Sequence, residues 1–137
     1  MKIVIDTNIL LVSIPPHSKY RPILDAFSKR KYTLVVTTDI YFEYIEVLEK
    51  LSAKGVTEYI ENALTISRNV LKPEVYYNWN LITVDPDDNK FTDAYMAADA
   101  DYLVTNDTHF NEVKKSPFPP VNIISADEFL EVLKSLN

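Results

Sequence analysis

No cysteine occurs among the 137 residues, which excludes both disulfides and thiolate metal sites. Histidine is scarce as well: His17 and His109 stand far apart, so no paired-histidine zinc site is available. No Ser–His or Cys–His pairing is legible, and a covalent nucleophile is not indicated. No apolar run is long enough to cross a membrane, and no polar tract is long or biased enough to imply disorder. Asp6 and Asn8 interrupt the apolar N-terminal stretch, and no small-residue cleavage site follows, which argues against a signal peptide. Positive charge is also in short supply, with 14 Lys and Arg against 20 Asp and Glu and a formal net charge of −6. Phosphate binding is driven by cations, so this balance taken alone argues against a nucleic-acid partner. The argument weakens if some acids hold metal, because two divalent ions in one carboxylate cluster would cancel most of that charge.

What is present fits one soluble domain spanning residues 1–137, expected to be cytoplasmic and without membrane association. Hydrophobic residues make up 47% of the chain, sufficient for a real core without staples. Strand and helix signals alternate. Ile3 to Ile5, Leu34 to Val36, Tyr102 to Val104 and Val121 to Ile124 read as strands, with a further short strand possible at Leu81 to Val84. Helices are expected from about Lys19 to Lys31, from Thr37 or Thr38 to about Lys54, from Thr57 to Arg68, from Asn89 to Ala100 and from Ala126 to Leu136. Pro15 and Pro16 break the chain before the first helix, and Gly55, the only glycine, separates the second from the third. Such alternation implies a three-layer α/β/α fold around a parallel sheet of four or five strands, with the ends of the first and fourth main strands adjoining.

Two segments share one form: KIVIDTN (Lys2 to Asn8) and YLVTND (Tyr102 to Asp107) are apolar runs that stop on an acid beside Thr and Asn. In an open parallel sheet, chemistry gathers at the carboxyl ends of the strands, so Asp6 and Asp107 are expected on one rim. The helix near Thr38 has an apolar stripe of Ile40, Tyr44, Val47, Leu48 and Leu51, and Glu43 borders it. In the helix near Asn89, Phe91, Ala94, Tyr95 and Ala98 make the packing face, with Asp93 beside it. Each acid has an ordinary structural explanation as a turn, cap or boundary residue. Together, four mutually repelling carboxylates at one place call for a cation. Asp88, in the turn before the last of these helices, is a further candidate for a supporting or water-mediated contact. All-oxygen ligands suit Mg²⁺ or Mn²⁺, which would activate water and neutralise charge on a phosphodiester.

The strand ending in VIDTN, the helix with Glu43, Val47 and Leu48, the segment DPDDNKF, and the helix running into ADYLVTND resemble, in order and spacing, the PIN-domain nucleases. The resemblance covers almost the whole chain and is closest to the small single-domain toxin components of prokaryotic toxin–antitoxin pairs. It implies a metal-dependent endoribonuclease that leaves a 5′-phosphate. By position it maps Asp6, Glu43, Asp93 and Asp107 onto the family's acidic cluster and Asn8 and Thr105 onto its polar supports. It also implies an RNA substrate, a homodimer and control by a cognate antitoxin. One departure is visible: relatives commonly carry Gly where Asn106 stands, a residue that tolerates left-handed backbone.

Two other readings compete. A phosphatase of the haloacid-dehalogenase type also opens on a strand ending in Asp but needs a second Asp two residues on, where this chain has Asn8. A catalytically silent PIN-like module that only binds a partner would have no reason to keep four repelling acids. Basic residues place no RNA: Lys29, Arg30 and Lys31 suit a helix C-terminus, leaving Lys19, Arg21, Lys114 and Lys115 as rim candidates. The aromatic group Tyr76, Tyr77 and Trp79 is expected to pack on the core, with base stacking or an oligomer contact as the alternatives.

Overall fold

A computed structural model describes residues 1–136, so the last residue of the expected 1–137 domain lies outside the described residues. Among the described residues, β1 (Lys2–Ile5), β2 (Thr33–Val35), β3 (Val70–Leu71), β4 (Tyr102–Val104) and β5 (Ile123–Ile124) form one sheet in the order β3-β2-β1-β4-β5. Every neighbouring pair is parallel. The most apolar run takes the centre: Ile3, Val4 and Ile5 are buried between β2 and β4, as a strand covered on both faces requires. Ile3, Val4 and Ile5 lie opposite Tyr102, Leu103 and Val104, so the two strands end together.

The helices are α1 (Thr7–Ser13), α2 (Arg21–Ser28), α3 (Thr38–Leu51), α4 (Val56–Ile66), α5 (Asn89–Ala98), α6 (Asn111–Lys115) and α7 (Ala126–Lys134). With the sheet they make a three-layer α/β/α arrangement. In α5, Phe91, Ala94 and Ala98 are buried against β1, β2 and β4, and the two alanines allow the close approach. In α3, Ile40, Tyr44 and Leu48 form the buried stripe, capped by the Thr37 side chain, which accepts from the Ile40 N–H. Leu51 falls outside that stripe and is 72% exposed, because the helix ends there and the chain turns away at Ser52. A capping box at Ser125 and Glu128 starts α7.

Several expectations are corrected. Helix α1 follows β1 directly, where the sequence reads as a strand and then a break: the Asp6 backbone carbonyl receives the N–H groups of Ile9 and Leu10, while the side chain that would signal a cap is used elsewhere. Leu81 to Val84 does not join the sheet. A side chain imitates the missing neighbour strand there, with the Asn89 amide accepting from the Ile82 N–H at 2.9 Å and donating to its carbonyl at 3.0 Å. The edge strand is instead β3, earlier in the chain. The connection after β4 carries α6, and α5 ends two residues early because Asp99 adopts left-handed backbone with φ 51°. Asn106 is not among the left-handed residues; its Oδ1 accepts from the Ala126 N–H at 3.0 Å and so helps open α7.

Candidate metal centre

The carboxyl ends of β1 and β4 form the floor of the site. The ladder continues one residue beyond both strands, with the Asp6 N–H donating to the Val104 carbonyl at 3.0 Å. Asp6 and Thr105 thus emerge side by side, and the Thr105 hydroxyl donates to Asp6 Oδ2 at 2.7 Å. The same hydroxyl oxygen accepts from the Asp107 N–H at 3.0 Å, which fixes the turn carrying the second acid. Asp107 Oδ1 in turn accepts from the His109 N–H at 2.9 Å. One threonine therefore ties both strand-end acids together.

Burial and like charge act on this floor together. Asp6 is raised from 3.8 to about 6, chiefly because burial disfavours its charged form, with the Thr105 hydrogen bond opposing and the charges of Asp88 and Asp107 adding to the rise. Asp88, on the short turn Pro86–Asp88 that leads into α5, is raised by burial and by Asp85 and Asp107, and relieved by His109. His109 Nδ1 lies 3.1 Å from Asp88, 3.4 Å from Asp107 and 3.9 Å from Asp85. Those carboxylates, the Asp88 hydrogen bond foremost, hold the imidazole above its ordinary value. Among the described residues, Asp85, Asp88 and His109 each offer a ligand atom within 4.8 Å of the others. Asp6, Asp88, Asp107 and His109 are therefore one electrostatic unit.

The remaining expected residues lie around it in different ways. Glu43 accepts from the Thr7 hydroxyl and from Lys90 Nζ, the latter at 2.8 Å. Asp93 is buried in α5, and its Oδ1 accepts from the Trp79 N–H at 2.9 Å. Burial raises it and the Trp79 bond opposes, while the acids that raise Asp6 are Asp88 and Asp107. Asn8 is exposed in the first turn of α1. The structure thus groups Asp6 and Asp107 with Asp88 and Thr105, and turns Asp93 toward the connector.

The sequence pattern did not single out Thr7, Lys90, Asp85 or His109 for this site. The only available signals were Thr7 beside Asp6 and the run Asp85-Pro86-Asp87-Asp88-Asn89-Lys90, where alternating residues face different neighbours. The aromatic connector also differs from expectation. Tyr76 and Tyr77 are exposed, and Trp79 meets Tyr77 at 4.9 Å and Phe118 at 6.0 Å in edge contacts.

The donor set fits a hard divalent cation. Carboxylates with an imidazole at their edge suit Mg²⁺ or Mn²⁺, and the burial and like charge that raise Asp6 and Asp88 are what such an ion would offset. Among the described residues no helix is long and apolar enough to cross a membrane. No curated protein matches the chain. The chain is similar in fold to VapBC2 from Rickettsia felis bound to a DNA fragment from their promoter, with a TM-score of 0.64, 18% identity, and coverage of 91% of this chain and 98% of that one. It is also similar to FitAB bound to an IR36 DNA fragment, with a TM-score of 0.58, 13% identity, and coverage of 90% and 94%. The family model described as a PIN domain matches residues 2–109, and with the sheet order and the strand-end acids this places the chain in the PIN domain family, a family of nucleases.

Proposed function

We propose that this protein is a Mg²⁺- or Mn²⁺-dependent endoribonuclease and the toxin component of a toxin–antitoxin pair, acting as a single domain in the cytoplasm. The observation that carries the reading is that Asp6 and Asp107 stand at the adjoining ends of β1 and β4, tied by one threonine hydroxyl, while Asp88 shares His109 with Asp107 and its charge acts on Asp6. Repelling acids held by a hydrogen-bond network are preorganised for a cation rather than for solvent. Asp6, Asp88 and Asp107 would hold it, and Glu43 would reach the site through water. The ion supplies activation of a water and neutralisation of charge on the phosphodiester.

The protein's own part is positioning. Thr105 keeps Asp6 and Asp107 in register, His109 lies against Asp88 and Asp107, and Asp93 fixes the connector through the Trp79 N–H. In this assignment Asp88 takes the ligand role expected of Asp93. The two-component names of the similar structures support a cognate antitoxin, and a homodimer goes with that reading. Sedimentation and the neighbouring open reading frame test those two points.

The activity itself is tested by mapping cleavage of total RNA with Mg²⁺ or Mn²⁺. Fragments bearing 5′-phosphates that vanish in chelator are expected. Products formed equally well in chelator would refute the metal mechanism.

A further inference from the structure

Glu43 has both carboxylate oxygens engaged. Oε2 accepts from the Thr7 hydroxyl, and Oε1 lies 2.8 Å from Lys90 Nζ, which also reaches Asp87 at 3.2 Å. The Lys90 side chain is 15% exposed and that of Glu43 22%, so this pair is more enclosed than Lys19–Asp127, Lys50–Glu46 and Lys134–Glu131. Asp88 and Lys90 flank the start of α5 on two sides. Asp88 faces His109, while Lys90 faces Glu43 across a depression shared by α3 and α5 and bordered by Asp39, Phe42 and Glu46. A divalent ion bound at Glu43 would have to displace Lys90, leaving an enclosed ammonium without its partner. An ammonium has three donors, and the two contacts named leave one for a ligand in the open depression.

We propose that Lys90 is the resident cation of the acidic rim: it occupies the Glu43 side in place of a second divalent ion and donates its remaining N–H to a phosphate oxygen of the RNA. This rests on the nuclease reading above. It gives an acidic protein a fixed positive charge beside the metal-binding acids, where the substrate backbone has to lie. It also explains why Glu43 approaches the site from α3 with its oxygens already held.

The test is calorimetric titration of the metal-free protein with Mn²⁺, alongside the KM for a short single-stranded RNA. Lys90→Met is expected to bind one more Mn²⁺ per chain than the parent, because Glu43 is released, and to raise KM about tenfold through loss of a charged hydrogen bond. Lys90→Arg is expected to keep the parental stoichiometry. The double variant Lys90→Met/Glu43→Gln leaves only the solvent-exposed Asp87 without its partner and controls for folding: it is expected to have parental stoichiometry with the raised KM, and a parental KM in it would overturn the proposal. Parental stoichiometry and KM in Lys90→Met would overturn it too. A parent that binds no Mn²⁺ would instead refute the nuclease reading itself.

Discussion

Asp6 is a buried carboxylate for which burial outweighs the hydrogen bond from the Thr105 hydroxyl, so in the metal-free protein its charge costs stability. The sign follows from its rise from 3.8 to about 6. Below pH 4 the group is protonated whether folded or unfolded and costs nothing. Between pH 4 and 6 the unfolded chain ionises first, and above about 6 the full penalty is present, roughly 3 kcal/mol. Asp6→Asn removes it while keeping the shape. In chelator the variant is expected to melt no lower than the parent, with a gap that opens from pH 4 and levels off above about 6. A melting series over pH 4 to 8 checks this, and a variant that melts well below the parent at pH 7 would give Asp6 a structural role. His109, raised by its carboxylates, contributes stability at low pH that is lost as the pH climbs through its folded value; both proteins share it, so it cancels from the gap. Thr105→Val deletes the hydroxyl that serves both acids. It is expected to lower stability by about 1–2 kcal/mol and to weaken Mn²⁺ binding, as read by melting with and without the ion.

At the level of elements, the least regular stretch is held by side chains. Asn89 pairs with both backbone groups of Ile82, and Glu112 accepts from the N–H groups of Thr83 and Val84 at 3.2 and 3.1 Å. Asn89→Ala leaves a buried N–H and C=O without partners. The expected cost is about 1–3 kcal/mol, with faster hydrogen exchange at the Ile82 amide; unchanged exchange there would show that the clamp is unimportant. These same contacts explain what the sequence concealed. Residues 81–84 have strand composition, yet their partners are two side chains, Asn89 and Glu112, and no local pattern announces that. Helix α1 was hidden for a related reason, since Asp6 spends its side chain on Thr105, ninety-nine residues away, rather than on the helix it precedes. The central strands were legible because continuous β-branched runs bury on both faces whatever surrounds them. Asp6 and Asp107 were legible because strand ends in a parallel sheet share a rim. Asp88 and Asp93 were not separable, because helical periodicity puts Asp93 beside the buried stripe but does not reveal that Trp79 takes its carboxylate.

For the whole molecule, a chain of net charge −6 that is proposed to cut RNA needs positive charge at its site. In the proposed function that charge lies inside the acidic rim, where a divalent ion would be held by Asp6, Asp88 and Asp107 and Lys90 stands beside Glu43. Binding of the ion to the folded state alone raises the melting temperature with concentration, and that rise should be absent in Asp6→Asn. The most direct measurement is Mn²⁺-dependent cleavage of RNA by the parent, Asp88→Asn and Asp93→Asn, each first shown to be folded. Asp93→Asn keeps an oxygen for the Trp79 N–H and loses only charge. The account predicts that Asp88→Asn loses cleavage by orders of magnitude, several kcal/mol of transition-state stabilisation, while Asp93→Asn stays within a few-fold of the parent. Parental activity in Asp88→Asn, with loss of activity in folded Asp93→Asn, would contradict it.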